Sequence, residues 1–214
     1  MKKTALILMF KILFLNQMYS QSEKFERFIN SFSVVNNERI MDFGRIAYTR
    51  NSMSKQEAID FVYNGDSTKL YCKGLIINLE TEEIVGEITN LFLPDKSFKI
   101  NTEQYFLIGY TSLECLSPLP NELRLNIMIV NKDYKIQDSM VVYKGNDYDW
   151  DIKSIFNPVT KKIFLVRNKD ACLYNINPAT MKFELIKEQN GITGSTDNLE
   201  MVLEQINWKE EFMN

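Results

Sequence analysis

Apolar residues recur at helical spacing near residue 25. Phe25, Phe28, Ile29 and Phe32 fall at positions i, i+3, i+4 and i+7, so they share one face of a helix. The other face is polar, with balanced charges, and carries Glu23, Lys24, Glu26, Arg27 and Asn30. A membrane-surface helix would carry an excess of Lys and Arg there. We therefore expect an amphipathic helix that packs against the core.

Two further segments carry helix signals. Ser54 and Glu57 form a capping box, in which each side chain binds the backbone amide of the other residue. The apolar face that follows is Ala58, Ile59 and Val62. The Asn-Gly-Asp sequence at 64–66 predicts the end of this helix. Near the C-terminus, Thr196 and Asp197 are possible caps for a short helix with the apolar face Leu199, Val202, Leu203 and Ile206.

The middle of the chain consists of short apolar runs separated by turn residues, which is typical of β-strands. The predicted strands are Arg39–Thr49, Leu70–Asn78, Ile84–Leu93, Gln104–Thr111, Leu123–Asn131 and Ile136–Lys144. The polar stretch 131–135 has the length of a hairpin connection. Because strands do not alternate with long helices, a doubly wound parallel sheet is disfavoured.

A short repeat marks the last third of the chain. The octapeptide at 156–163 recurs at 176–183, twenty residues later. The matched pairs are Asn157 with Asn177, Pro158 with Pro178, Thr160 with Thr180, and Lys162 with Lys182. Asn followed by Pro is typical of a type I turn. With a third turn at 168–170, residues 151–187 are predicted to form a four-stranded antiparallel meander.

These patterns together predict an α+β fold, mainly antiparallel sheet in meanders and hairpins, with N-terminal, internal and C-terminal helices. The meander at 151–187 is similar to one blade of a β-propeller, so a propeller-like fold is the alternative. The terminal helices use chain that a closed propeller would need, and no repeat of about 40–50 residues recurs elsewhere.

The first twenty residues have the pattern of a secretory signal. Lys2 and Lys3 precede the apolar run 4–15. Lys11 interrupts this run, which leaves it too short for a lasting membrane span. We therefore expect cleavage before Gln21 and a periplasmic or secreted protein, and the alternative is a buried or anchoring N-terminal helix.

Removal of residues 1–20 would leave a single domain, residues 21–214. This domain has 22 Lys and Arg against 28 Asp and Glu, or a net charge of about −6. Nucleic acid is disfavoured as a partner, because binding to its phosphates depends on basic patches.

Several short segments carry a family resemblance. They are the leader, the Phe25/Phe28/Phe32 helix, the stretch 54–61 and the aromatic strand 105–110. Together these segments resemble small uncharacterised exported proteins of Gram-negative gut-type bacteria. The resemblance covers the first half of the chain and implies export without implying an activity.

The chain has no histidine, which excludes Ser-His-Asp and Cys-His catalysis and His-ligated metals. Cys72, Cys115 and Cys172 lie far apart and lack the spacing of a metal site. At most one disulfide can form, and two readings stay open: one bridge with one buried thiol, or three buried thiols.

The segment 146–151 holds the densest group of polar and aromatic residues, and it contains the candidate ligand-binding residues Asp147, Tyr148, Asp149, Trp150 and Asp151. In an extended strand, the three carboxylates would face one side and the two aromatic rings the other. Carboxylate oxygens suit calcium, and aromatic rings suit a sugar. The segment lacks the Gly and the final Glu of an EF-hand loop, so a solvated turn is the favoured interpretation and no metal site is predicted.

The sequence favours a non-enzymatic exported module that binds a partner, either a protein or a glycan, without a cofactor. A toxin-neutralising immunity protein of the periplasm is one specialised alternative. A carboxylate-dependent glycan hydrolase is another, since such enzymes need a pair of acids. The acids considered for it are Glu82, Glu83, Glu87 and Glu114.

Overall fold

The computed structural model describes residues 22–35, 39–47, 51–78, 80–114, 122–146 and 149–214, and its helices are short. They are α1 (22–30), α2 (Phe43–Ile46), α3 (Lys55–Glu57), α4 (Leu199–Gln205) and α5 (Lys209–Met213). The capping box at the start of α3 is confirmed, with both of its hydrogen bonds present. This helix continues as a π-helical turn, Ala58–Val62, and ends before Gly65, whose φ is +85°.

A long antiparallel sheet forms most of the molecule. Its eight consecutive strands are β5 (Asp95–Asn101), β6 (Tyr105–Glu114), β7 (Glu122–Asn131), β8 (Ile136–Gly145), β9 (Trp150–Asn157), β10 (Lys162–Arg167), β11 (Asp170–Asn177) and β12 (Lys182–Gln189). Each strand pairs with its neighbours in sequence, so the sheet is a meander. Two short strands join it: β1 (Met41–Asp42) pairs with β9, and β2 (Asn51–Ser52) pairs with β5. The α+β prediction is confirmed, and the sheet does not close into a propeller.

A separate two-stranded sheet is formed by β3 (Tyr71–Ile77) and β4 (Ile84–Leu91). We call this hairpin, residues 71–91, the β3–β4 ribbon. A 3₁₀ turn, Ser67–Leu70, leads into it. The ribbon lies in the chain between α3 and β5, so it interrupts the path from the helices to the long sheet.

The core is divided among three clusters of buried side chains. In the first cluster, Phe28 and Ile29 of α1 pack with Met128 of β7. The second, which we call the central cluster, lies between the two halves of the sheet and includes Phe98, Leu125, Phe156 and Ile176. The third, which we call the α4–α5 cluster, packs α4 and α5 on β9–β11 and includes Phe164, Leu173, Leu203 and Phe212. The prediction that α1 packs against the core is therefore confirmed.

The Asn-Pro turns are confirmed, and the side-chain amides of the two copies bind different partners. Asn157 Oδ1 accepts a hydrogen bond from the Val159 amide at 3.0 Å, and Asn177 Oδ1 accepts one from the Ala179 amide at 2.8 Å. The Asn157 side-chain amide also donates to the Phe212 carbonyl of α5 at 3.1 Å. The Asn177 side-chain amide instead donates to the Glu184 carboxylate at 2.9 Å. Only the first copy therefore anchors the C-terminal helix.

The predicted strand Arg39–Thr49 is wrong in most of its described part. Only Met41 and Asp42 are extended, and the chain then turns into α2. The Asp42 carboxylate causes this change, because it accepts the Gly44 amide at 2.9 Å and caps the helix. Residues 48–50 lie outside the described residues.

β5 lies in none of the predicted strands because two lysines interrupt its apolar pattern. Lys96 and Lys99 are 8% and 4% exposed. The Lys96 ammonium lies 3.3 Å from Glu57, and the Lys99 ammonium donates to Asn30 at 2.9 Å. Burial lowers the pKa of Lys99. The partners of both lysines belong to the N-terminal helices, so only the tertiary structure makes β5 a buried strand.

The C-terminal helix is confirmed, but its predicted caps are wrong. Asn198, rather than Thr196 or Asp197, caps α4 by accepting from the amides of Glu200 and Met201. No pattern in the sequence predicted α5. In the described part of the chain, no helix combines the length and the apolar character that a membrane crossing requires.

Candidate functional site

Of the candidate segment 146–151, Asn146 and Asp149 lie between β8 and β9, and Trp150 and Asp151 begin β9. The Asn146 side chain accepts the Asp149 amide at 2.8 Å, and the Asn146 amide donates to the Asp149 carbonyl at 2.8 Å. The Asp149 carboxylate accepts the Trp150 amide at 2.8 Å. Asp147 and Tyr148 lie outside the described residues. The described residues therefore use their polar groups to build the turn itself.

Asp151 lies on β9 and is part of an ion-pair group with strands β7 and β8. The Lys144 ammonium lies 2.5 Å from Asp151 and 2.8 Å from Glu122. Hydrogen bonds to Asp151 and then to Glu122 raise the pKa of Lys144. Asp151 is therefore neutralised by a protein cation, and its carboxylate is directed differently from that of Asp149. Within the described ranges, no group of three or more Cys, Asp or Glu could hold a metal ion.

The Trp150 indole contacts the core and is also partly accessible to solvent. It packs on the central cluster and on the α4–α5 cluster. The Lys153 ammonium lies 5.6 Å from the ring centroid and donates to the Asp197 carbonyl at 2.6 Å. This lysine links the indole to the loop before α4.

An open cleft of about 690 Å³ adjoins Trp150. It lies between the Ile40–Arg45 segment, the β8–β9 corner and the start of α4. Its polar and aromatic lining residues are Asp42, Arg45, Tyr143, Trp150, Lys153, Asp197, Asn198 and Glu200. Such a mixed lining suits a neutral polar ligand better than a strongly charged one. Of the sequence candidates at 147–151, the described part of the cleft includes Trp150 alone.

The acids considered for hydrolysis do not line this cleft. Glu82 and Glu83 lie at the tip of the β3–β4 ribbon, and Glu87 lies on β4. Glu114 ends β6, and its side chain lies outside the described residues. Among the described side chains, those of Glu82, Glu83 and Glu87 are therefore not brought together across this cleft.

The β3–β4 ribbon forms a second surface, and it is unusually apolar. The most exposed large hydrophobic residues of its two strands are Tyr71, Ile76, Ile84, Val85, Ile88 and Leu91. Ile84 is 62% exposed and Val85 is 60% exposed. Both faces of the ribbon are open, since every residue of β4 except Gly86 is exposed. Among the described residues, each of its strands pairs only with the other.

The charges of the ribbon are mainly acidic. The acidic residues are Glu80, Glu82, Glu83 and Glu87, and the basic residue is Lys73. At the base of the ribbon, the Lys55 ammonium lies 5.8 Å from the centroid of the Tyr71 ring. The ribbon therefore combines an apolar centre with a negatively charged end, which a positively charged surface would complement.

A disulfide is present at the ribbon, which decides between the two cysteine readings. Cys72 on β3 is disulfide-bonded, and Cys172 on β11 is a free thiol. Cys115 lies outside the described residues. Burial is the main cause that raises the pKa of Cys172, so this thiol is a poor nucleophile. The bridge of the first reading is therefore present, but the remaining described thiol, Cys172, is only partly buried rather than buried.

The two ribbon strands were predicted from their apolar runs, but their exposure was not. The runs Leu75-Ile76-Ile77 and Ile84-Val85 put apolar side chains on both faces of a strand, which usually indicates burial on both faces. One available signal was the pair Gly74 and Gly86, since glycine weakens a strand interior. The cluster of glutamates at 80–87 was a second signal.

No family model matches the chain, and no curated protein or solved structure matches it either. The resemblance to small exported proteins therefore stays a prediction.

Proposed function

We propose that the chain is an exported, non-enzymatic binding protein that holds a protein partner on the β3–β4 ribbon. The observation that carries this proposal is the exposure of six large apolar side chains on a hairpin that pairs with no other described strand. Monomeric soluble proteins rarely leave a large contiguous apolar surface uncovered. A two-stranded hairpin is also marginally stable by itself in water. A partner that covers the ribbon would offset both costs.

The partner is expected to carry Lys and Arg around an apolar centre. The ribbon has four glutamates against one lysine, so a basic rim on the partner would be electrostatically complementary. A second copy of this chain fits less well, because two ribbons would bring their glutamates together. A basic toxin acting outside the cytoplasm is one partner with these properties, as the immunity alternative requires.

The disulfide at Cys72 supports export. Disulfides form and persist in oxidising compartments such as the periplasm, whereas the cytosol keeps thiols reduced. A processed N-terminus at Gln21, measured by mass spectrometry of the protein from its own host, would test this part of the proposal. A chain that begins at Met1 and has a reduced Cys72 would contradict it.

The binding proposal is tested by photocrosslinking in the native host. Ile88 is replaced with the photoreactive residue p-benzoylphenylalanine, and Val159 receives the same replacement as a control. Both side chains are exposed, at 41% and 67%, but Val159 lies on the β9–β10 turn, away from the ribbon strands. We expect one discrete crosslinked adduct from position 88 and none from position 159.

A charge-reversal arm makes this result specific. Changing Glu82, Glu83 and Glu87 to Lys in the position-88 protein should abolish the adduct, because the partner is expected to be basic. An adduct that survives charge reversal would contradict the basic partner. No adduct from position 88, or equal adducts from both positions, would overturn the ribbon as the binding surface.

The cleft beside Trp150 supports a second candidate, a glycan ligand. Its volume of about 690 Å³ and its Trp and Tyr lining suit a short oligosaccharide. Titration of a Trp208→Phe variant with cellotriose and chitotriose tests this candidate, since Trp150 is then the only indole. Saturable quenching would support it, and unchanged emission with both sugars would count against it.

A further inference from the structure

We infer that the partner binds by adding an extended strand to the free edge of β4. This inference rests on the proposed function and specifies how the β3–β4 ribbon is used. Addition of a strand to an open sheet edge gives affinity through main-chain hydrogen bonds and specificity through alternate side chains. Three features of β4 support this mode: the direction of its backbone N–H and C=O groups, the residues along its edge, and the alternation of its side chains.

The register fixes which backbone groups of β4 point outward. The Phe92 amide donates to the Leu70 carbonyl, and the register continues through Cys72↔Asn90 and Gly74↔Ile88. Hydrogen-bonded and non-bonded pairs alternate along an antiparallel ladder. Asn90 and Ile88 therefore bond toward β3. The intervening Glu87, Thr89 and Leu91 direct their N–H and C=O groups to the other side, where no described strand pairs with them.

From Gly86 to Leu91, the edge of β4 lacks the usual protection of an edge strand; the register shift of the ribbon lies nearer its tip, where the pair Ile76↔Gly86 is followed by Ile77↔Ile84. Natural edges are blunted by Lys, Pro, bulges or a covering element. β4 contains neither Lys nor Pro along its eight residues. The edge strand β12, by contrast, carries the charged residues Lys182, Glu184, Lys187 and Glu188, and Lys187 is ion-paired with Glu211. Of these two edge strands, β4 is therefore the better suited to pair with another strand.

The outer edge of β3 is the less suitable side of the ribbon. It carries Lys73, which would repel a basic partner, and its neighbour Cys72 is tied by a disulfide. On β4, the charged residue is Glu87. Charge therefore directs a basic strand to β4 rather than to β3.

The side chains of β4 define the incoming segment. Ile88 lies on the same face as Ile76, whereas Glu87 and Thr89 lie on the opposite face. A strand placed beside β4 would put apolar residues next to Ile88 and Lys or Arg next to Glu87. The matching segment is an extended chain in which apolar and basic residues alternate.

The first test uses a fluorescein-labelled octapeptide of alternating Val and Lys as the probe. Hydrogen exchange of the disulfide-bonded mature protein is measured by NMR with and without this probe. We expect the amides of Glu87 and Thr89 to exchange rapidly in the free protein and at least about tenfold more slowly with the probe. The amides of Ile88 and Asn90 are protected in both states, so they are the internal control.

Two matched peptides separate charge from backbone pairing. An octapeptide of alternating Val and Glu keeps the strand character and reverses the charge. A Val-Lys peptide with alternate N-methylated amides keeps the charge and removes the donors. We expect both to bind at least about tenfold more weakly than the probe. Equal binding of the N-methylated peptide would overturn strand addition.

The second test changes the edge of the protein. Thr89→Pro removes the outward N–H of β4 without removing a donor from the β3–β4 ladder. Thr89→Val keeps that N–H and is the matched control. Probe affinity should fall at least about tenfold for Thr89→Pro and stay within about twofold for Thr89→Val. Persistent protection of the Ile88 and Asn90 amides shows that the ribbon of the Pro variant is intact.

The outcomes distinguish this inference from the function on which it rests. If position 88 crosslinks the native partner in wild type and equally in the Thr89→Pro variant, the partner covers the apolar face and strand addition is wrong. If the probe gives no protection at Glu87 and Thr89, strand addition is also wrong. If position 88 gives no crosslink in the wild type, the ribbon is not the binding surface and both proposals fail.

Discussion

The meander β9–β12 and the β3–β4 ribbon are both antiparallel hairpins built from apolar residues, yet they differ in what covers them. Ile163, Phe164 and Val166 of β10 are fully buried between the central cluster and the α4–α5 cluster. Ile84, Val85 and Ile88 of β4 are exposed. Strand formation therefore follows from local sequence, but burial follows from which other elements reach the strand. In the ribbon, the described chain supplies no such covering element.

The largest expected difference in the free energy of unfolding is between alanine substitutions at a core phenylalanine and at a ribbon isoleucine. Phe28 is 1% exposed, and Phe28→Ala should lower the free energy of unfolding by about 3–5 kcal/mol. Ile84→Ala should change it by less than about 0.5 kcal/mol, because Ile84 is 62% exposed. Urea denaturation measures both values. A similar loss of unfolding free energy in both variants would show that the ribbon is packed in solution, and the contrast between the covered meander and the uncovered ribbon would then be wrong.

The second contrast compares two glycines in strands. A Cβ at Gly109 of β6 would lie 2.0 Å from the Phe98 ring, so the ring or the backbone must move. Gly109→Ala should cost about 1–3 kcal/mol by overpacking. A Cβ at Gly86 of the ribbon would lie 3.4 Å from Ile76, which is an ordinary contact. Gly86→Ala should therefore be neutral or slightly stabilising in the same denaturation experiment, and a comparable loss would contradict the open ribbon.

The third prediction concerns the helix that precedes the ribbon. Ser54→Ala removes the cap of α3 and should cost about 0.5–2 kcal/mol in thermal or urea unfolding. This loss should be larger than that from Ser67→Ala, because Ser67 is exposed and is not the cap of the 3₁₀ turn. Equal losses would show that the capping box contributes nothing beyond a surface serine.

The capping box also predicts a pH dependence. Burial raises the pKa of Glu57, but hydrogen bonds from the Ser54 amide and hydroxyl and the Lys96 charge outweigh it, so the pKa is lowered overall. The folded state therefore favours the carboxylate, and this stabilisation is present above the ordinary pKa of about 4.5 and lost as the pH falls below it. The stability difference between wild type and Glu57→Gln should shrink from pH 6 to pH 3. A difference that is constant with pH would contradict the ionised box.

The smallest expected effect is at the β8–β9 turn. Calcium bound only to the native state at a hundredfold excess over Kd would add about 2.7 kcal/mol of stability. We expect no shift in Tm with millimolar calcium, because Asp149 is used in the turn and Asp151 is paired with Lys144. The Asp149→Asn, Asp151→Asn double variant should lose less than about 1 kcal/mol. A calcium-dependent rise in Tm that disappears in this variant would make the turn a metal site.

The parts of the fold that the sequence predicts are those with local causes. The two Asn-Pro turns and the Ser54 capping box depend on residues two or three positions apart, and both are confirmed. β5 depends on contacts distant in sequence, because Lys96 and Lys99 are compatible with burial only beside Glu57 and Asn30. A pattern of apolar positions cannot contain that information.

The candidate site shows the same difference between features with local causes and features that depend on distant contacts. The sequence predicted a solvated turn with half-buried aromatic residues at 146–151. Among the described residues, Asn146 and Asp149 form turn hydrogen bonds, and Trp150 at the start of β9 is partly buried. The sequence did not predict that Lys144 pairs with both Asp151 and Glu122, which joins three strands. It also did not predict the exposure of the ribbon, since an apolar strand has the same sequence whether or not another element covers it.

The neighbour-to-neighbour order of β5–β12 has a consequence for how the molecule acquires its structure. Each hairpin can close as soon as its second strand is available, so the entropic cost of loop closure stays small at every step. The contacts that must wait are those between distant segments: β1 with β9, and α5 with the first Asn-Pro turn. Because α5 follows all the described strands in sequence, folding of the sheet should precede its docking. Deletion of residues 209–214 should therefore speed unfolding while leaving the refolding rate of the sheet nearly unchanged.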